Sequence, residues 1–332
     1  MLGLDRKVVA EVLAIWGLLE LGDLQGSMVA VLPEILAALY GAQEAAAALG
    51  ARAAEATVSA LGVAAGPRVV AAGFSGTASD GRSMASLVAG PMLRMAALSA
   101  GGAPTAQVRT VGGSLMERLV VTQLHDTSRA SSGVIITANR RVKGHERVVE
   151  SGACGKCIIL SGRIYRWSEG FKRHDNCRCT MRPATDPDFR SSPSPEKIFE
   201  DMSEAEQNQA FGTYRAQAIR DGADLNQVVN SARQGAMSEG GLVTSEGTTR
   251  RGFASSARRE FDRQAGLVTQ ETTSGRGRQR QRRTGPRLTP QAIYKFSNND
   301  RDLAIEMLRR NGYIMDRSPR VRRAASAPAV QL

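Results

Sequence analysis

Aromatic side chains are scarce in this sequence: Phe, Trp and Tyr together make up 5% of 332 residues, against an apolar fraction of 42%. The core must therefore be assembled from Ala, Val, Leu, Ile and Met, which disfavours an aromatic-rich sheet and favours closely packed helices. No G-x-x-x-x-G-K-[ST] stretch occurs, so no P-loop nucleotide site arises. Long apolar runs are lacking near the start. The richest, Val8 to Leu21, is broken by Glu11 and followed by Gly22 and Asp23, short of the roughly 18 uninterrupted apolar residues that suggest a membrane span. It reads as a packing helix, and no membrane span is expected. A basic n-region, apolar h-region and cleavage site do not combine at the start, so synthesis in the cytosol is expected, where thiols stay reduced.

Net charge is nearly absent from most of the chain. Residues 1–245 carry 25 Lys+Arg against 24 Asp+Glu, whereas residues 246–332 carry 19 against 8, so the last quarter supplies almost all of the formal +12. An arginine-rich tail is a surface that releases counterions from a polyanion, and nucleic acid is the commonest such partner. In "SGRGRQRQRRTGPR", Arg276, Arg278, Arg280, Arg282 and Arg283 are the expected DNA contacts. They would touch phosphate without reading sequence.

Helical periodicity marks out a mainly α chain. One helix is predicted from Asp5 to about Leu21 and a second from Pro33, placed as a first-turn proline, with Gly66-Pro67 as punctuation. The stretch 71–113 reads as loop around a short helix from Met84 to Ala100. From Ser114 one long helix is predicted, or two joined near Ser131 to Gly133. Beyond residue 183 a Pro/Ser linker leads to a capping box at Ser203 and Glu206, opening one helix that Gly222 ends, with Asp224 capping the next. Residues 235–288 are polar and low in complexity, and are expected to be extended or disordered when alone. Thr289 with Pro290, and Asn299 or Asp300, open two last helices, the second stopped at Asn311-Gly312. The expected divisions are an N-terminal helical domain (1–113), a core with a Cys/His cassette (114–183), a linker and helical segment (184–234), a basic flexible segment (235–288) and a C-terminal helical pair with tail (289–332).

Cysteine is rare as well, and all four residues fall within one cassette, "SGACGKCIILSGRIYRWSEGFKRHDNCRCTMRP", residues 151–183. A C-x-x-C turn, Cys154 and Cys157, is answered after 19 intervening residues by Cys177-x-Cys179, with His174 three residues before Cys177. A turn that aims two thiolates at one ion, and a short segment that returns a second Cys/His pair, is the general plan of a structural zinc site. Five donors compete for four tetrahedral positions. Cys154, Cys157, His174 and Cys177 form the preferred set, with Cys179 or His174 exchangeable in the last place. "CIILSGRIYRW" predicts a tiny zinc-knuckle-like hairpin around Ser161-Gly162, and metal would supply folding energy that so small a piece cannot find in apolar burial. A disulfide knot and a thiol active site are the alternatives. His125, in a helical pattern, and His145, in a basic loop, read as surface or hydrogen-bonded structural residues, and no spacing supports a Ser/His/Asp triad built on Asp80 or Asp126.

The cassette resembles the C-x-x-C…G-x-x-[YF]…H-P-x-C-x-C signature of the MuF-like minor head proteins, the head morphogenesis family of tailed bacteriophages, with Asp175 where the family usually has proline. "MSEAEQNQAFGTYRAQAIRDGADLNQVVN", "TSEGTTRRG" and "RLTPQAIYKF…AIEMLRRNGYI" are similar to the C-terminal extension of actinobacteriophage minor capsid proteins. The resemblance spans about residues 115–317. It implies a low-copy virion protein of the head interior near the portal vertex, contacting the portal protein, the major capsid protein or scaffold, and packaged double-stranded DNA. Relatives labelled as maturation proteases, or fused to toxin or ADP-ribosyltransferase domains, make an enzyme the alternative, and ejection into the host as a DNA-binding protein a third. No catalytic constellation is visible for either enzymatic activity.

Overall fold

Small side chains at helical spacing let helices approach until their backbones almost touch, and that rule builds most of this molecule. The computed structural model describes residues 1–64, 66, 68–186, 191–249, 252–264 and 285–314. It is mainly helical, with small sheets. Contacts divide it into two units, Met1–Ala153 with Leu160–Ser194, and Cys154–Ile159 with Pro195–Leu332.

The first unit holds α1 (Leu2–Trp16), α2 (Leu24–Ala60), α3 (Met84–Ala100) and α4 (Thr105–Ala138). Their inward faces share one core that includes Val12, Trp16, Ile35, Leu39, Met84, Val88, Met95, Met116 and Leu124. α2 is by length and composition able to cross a membrane, and its Ile35, Leu39, Ala42, Ala46 and Ala47 are buried within this unit. It begins nine residues before Pro33, capped by Asp23, whose side chain accepts from the Gly26 amide. Pro33 thus lies inside the helix rather than in its first turn. The carbonyl it leaves unbonded belongs to Val29, which is exposed, so water can satisfy it.

The expected boundary at residue 113 falls inside α4. Gly112 and Gly113 look like a break, but a Cβ on Gly112 would meet Met95 Cγ at 2.6 Å: the glycine admits α3 to α4. α4 also runs unbroken through Ser131 to Gly133. Gly50 serves the α2–α4 crossing in the same way. A Cβ there would strike the Ser128 carbonyl and come within 2.6 Å of Ser131 Oγ. Gly50→Ala should therefore push the two longest helices apart and cost roughly 1–3 kcal/mol, read as a lowered midpoint in urea unfolding, although alanine is the better helix former.

After α4 comes a three-stranded antiparallel sheet of order β2–β1–β3, made of β1 (Gly144–Val148), β2 (Ile164–Arg166) and β3 (Thr180–Ala184). His145 pairs with Tyr165 and Pro183, which places it mid-sheet and buried rather than in a loop. The hairpin predicted around Ser161-Gly162 does not form. Gly155–Ile158 coils into the one-turn helix α5, and β2 pairs with β1 instead. The polar run "GHERV" hides a buried strand because its charges find partners. Glu146 accepts from the Ser191 and Ser192 amides at 3.1 and 2.9 Å, and pairs with Arg182.

The second unit contains α6 (Pro195–Asp201), α7 (Glu204–Phe211), α8 (Thr213–Arg220), α9 (Leu225–Ser231), β4 (Val243–Thr244), α10 (Phe253–Gln264), β5 (Arg287–Leu288), α11 (Pro290–Phe296) and α12 (Arg301–Arg310). The capping box at Ser203 and Glu206 forms. The single helix predicted after it is split at Gly212, whose φ of +85° no helix accepts. Thr289 and Asp300 cap the last two helices. Part of the segment expected to be extended, 253–264, is helix α10, and its Ala254 and Ala257 are buried. β4 pairs with β5. Arg287 is fully buried, donating to the Asn311 and Gly312 carbonyls and lying 4.2 Å from the Tyr313 ring centroid.

Candidate metal centre

The C-x-x-C segment is a helical turn: Cys154 caps α5, and its carbonyl accepts from the Cys157 and Ile158 amides at 2.9 and 3.1 Å. The second pair is presented by another turn, in which the Cys177 amide donates to the His174 carbonyl at 3.2 Å and Asn176 takes the left-handed φ of +64°. Asp175 occupies the turn position where proline's fixed φ is favoured, and an Asp fits the same backbone. The Asn176 amide is anchored to α4 by Thr122 Oγ1 at 2.8 Å.

Two groups of donors result, with ligand atoms within 4.8 Å of one another in each: Cys154, Cys157 and His174, and Cys157, Cys177 and Cys179. Cysteine and histidine donors this close can hold a metal ion. The four cysteines are thiols rather than disulfides. The residues of the preferred set are distributed over both groups. Cys177 lies with Cys179 and Cys157 in the second group, as residues two apart can share one side of the backbone. Cys157, Cys177 and Cys179 are buried, Cys154 is half-buried and His174 is exposed. His174 Nδ1 lies 2.6 Å from the Asp175 carbonyl. A carbonyl only accepts, so Nδ1 carries the proton and Nε2 has the lone pair suited to a metal, as is usual for ligating histidines.

Four residues that the spacing did not reveal support this segment. Arg129, on α4, donates to the Cys177 carbonyl at 3.0 Å and to the Cys179 carbonyl at 2.7 Å. Arg147, fully buried on β1, brings Nη2 to 3.7 Å from Cys177 Sγ and stacks 4.4 Å from the Phe171 ring centroid. Asp126, buried on α4, pairs with both Arg129 and Arg173. Burial alone would raise its carboxyl pKa, but the Arg173 hydrogen bond and the Arg129 charge outweigh that and hold it below the usual range. The Asp-x-x-Arg step at 126–129 was the one available signal, an i,i+3 pair on a helix.

His125 is buried with Nε2 2.9 Å from an Asp5 carboxylate oxygen, a structural hydrogen bond. Burial lowers the His145 pKa to about 4, with Glu169 opposing, so it is neutral at pH 7. Arg276, Arg278, Arg280, Arg282 and Arg283 lie outside the described residues. No family model, curated protein or solved structure matches the chain.

Proposed function

We propose that the cassette is a structural zinc site and that the chain is a structural protein of the MuF-like minor head type, acting in the head interior near the portal vertex. The gathering of five Cys/His donors around Cys157 carries this reading, because it is the donor chemistry of a fold-stapling zinc ion and it sits on the residues that resemble the family signature. Zinc is favoured over harder cations by thiolate and imidazole donors. The ion would tie the turns at Cys154 and Cys177, which are too short to persist on apolar burial.

In this reading the helices of the first unit dock on portal, capsid or scaffold protein, and Arg276, Arg278, Arg280, Arg282 and Arg283 lie against packaged double-stranded DNA. The test is mass spectrometry of purified particles of the phage that encodes the chain. The peptides should copurify with portal protein at low copy. Their presence only in infected-cell lysate would overturn the virion reading in favour of a host-directed protein, and a particle-dependent cleavage of capsid protein that this chain alone restores would favour the protease.

A further inference from the structure

The neutrality of residues 1–245 conceals a segregation of charge. Residues 140–182 hold 11 Lys+Arg and 4 Asp+Glu, which leaves 14 against 20 in the remainder of that stretch. The excess falls on and around the three-stranded sheet, and its register decides which side chains share a face. His145 opposes Tyr165, and the Trp167 amide donates to the Lys143 carbonyl at 3.3 Å. Side chains two apart lie on the same side of a strand. Lys143, His145 and Arg147 of the β1 chain and Arg163, Tyr165 and Trp167 of the β2 chain therefore face one way; His145 and Arg147 are buried, and Lys143, Arg163 and Trp167 are exposed. Arg163 covers Tyr165, with its guanidinium carbon 5.3 Å from the ring centroid. Lys172 is fixed nearby by the bond from Arg147 Nη1 to its carbonyl, 3.2 Å. Lys143, Arg163 and Lys172 are all exposed.

Trp167 distinguishes this surface from a merely solvated basic face. It is one of two tryptophans; Trp16 is buried, whereas Trp167 is 50% exposed at the sheet edge. It lines a cavity of about 930 Å³ whose wall includes Phe74, Val134, Thr137, His145 and Phe171. The ring nitrogens of His145 are buried there without a hydrogen-bond partner. A flat indole at this recess, whose wall also carries Arg129, Arg173, Asp126 and Glu169, with exposed Lys143 and Arg163 on the same face of the sheet, offers one ligand both a stacking face and phosphate contacts.

We infer that this face of the sheet binds single-stranded nucleic acid, with phosphates on Lys143, Arg163 and Lys172 and one base stacked on Trp167 at the cavity. A duplex can use the cations but has its base faces already stacked, whereas an unpaired base is free to stack on the indole beside them. The inference does not rest on the head-protein reading, and it concerns a folded surface separate from the arginine tail.

The test uses the full chain, with Arg276, Arg278, Arg280, Arg282 and Arg283 changed to Ser in every variant compared, and fluorescence anisotropy of an oligo(dT) strand. Trp167→Ala should weaken binding roughly ten-fold or more, as loss of one stacked base does, and Trp167→Phe should restore much of it. Lys143→Ala and Arg163→Ala should each reduce the slope of log affinity against log salt by about 0.7. A duplex of equal length should bind more weakly and ignore Trp167→Ala. An unchanged oligo(dT) affinity in Trp167→Ala, or equal binding of the duplex, would overturn the assignment. Poly-glutamate competing as well as oligo(dT) would reassign the face to an acidic protein. Circular dichroism of each variant separates these results from misfolding, and Arg163→Ala, which removes an exposed side chain, gives the slope even if Trp167→Ala is unstable.

Discussion

Cys157→Ser is expected to abolish metal retention altogether, whereas Cys154→Ser or Cys179→Ser should leave a weaker, still measurable site. The reason is arithmetic of position. Cys157 belongs to both donor groups, and each of the others belongs to one. With Cys157 gone, neither group retains three donors; with Cys154 or Cys179 gone, one group is intact. Metal analysis of the purified chain should give about one zinc ion per molecule for the parent and none for Cys157→Ser. Structural zinc contributes roughly 10–16 kcal/mol in isolated finger peptides. That figure bounds the present case from above, because α4 and β1 supply part of the scaffold through Thr122, Arg129 and Arg147. Loss of the ion should therefore loosen the cassette and lower the melting temperature, while the helical circular dichroism of α1 to α4 persists. A chelator should reproduce the effect on the parent and do nothing to Cys157→Ser. Full zinc occupancy in that variant would remove the site as described. His174→Ala tests the exposed end: a loss of affinity smaller than that of Cys179→Ser would place the fourth ligand among the cysteines.

The parts of this fold that were legible in the sequence are those written in local chemistry. The span of α3, the capping box at Ser203, the caps at Thr289 and Asp300, and the stop at Gly222 need only a few neighbouring residues to act, and those residues carry the pattern. The donor types of the centre were legible for the same reason, since C-x-x-C and H-x-x-C are turns. What escaped depended on distant partners. Gly112 reads as a break until Met95 is known to lie against it. Glu146 and Arg147 read as loop because charged residues rarely fill a buried strand, and only Ser191, Ser192, Arg182 and Phe171, some 24 to 46 positions away, make that burial affordable. The shared role of Cys157 was hidden too, because periodicity does not say which way a turn at Asn176 will aim two thiols.

Asp126→Asn should produce one of the two largest losses of stability outside the cysteines. The carboxylate neutralises Arg129, which is 8% exposed, and Arg173, which is partly exposed. Asparagine is nearly the same size and can still accept one hydrogen bond, so the deficit is one of charge rather than of packing. Breaking a buried pair from one side costs about 3–5 kcal/mol, since the remaining cation stays buried without compensation. For a unit of this size that corresponds to a fall in melting temperature on the order of 10 °C. Arg173→Gln should cost much less, because it leaves Arg129 paired. Arg129→Met should cost at least as much as Asp126→Asn, because it also strips donors from the Cys177 and Cys179 carbonyls. The pH dependence has a fixed sign. Asp126 has its pKa depressed in the folded state, so its contribution is complete above the unfolded value, about 3.9, and is lost as pH falls through the folded one. His145, depressed to about 4 by burial, withdraws stability earlier, as pH falls from about 6.5 toward 4, because the unfolded chain takes up its proton first. In urea titrations at stepped pH, the difference between parent and Asp126→Asn should therefore stay level from pH 7 to about 5 and shrink below about 4, where the unfolded chain's Asp126 takes up a proton while the folded one is still ionised. A difference that narrows already between pH 6.5 and 5 would mean that Asp126 is not held ionised by its two arginines.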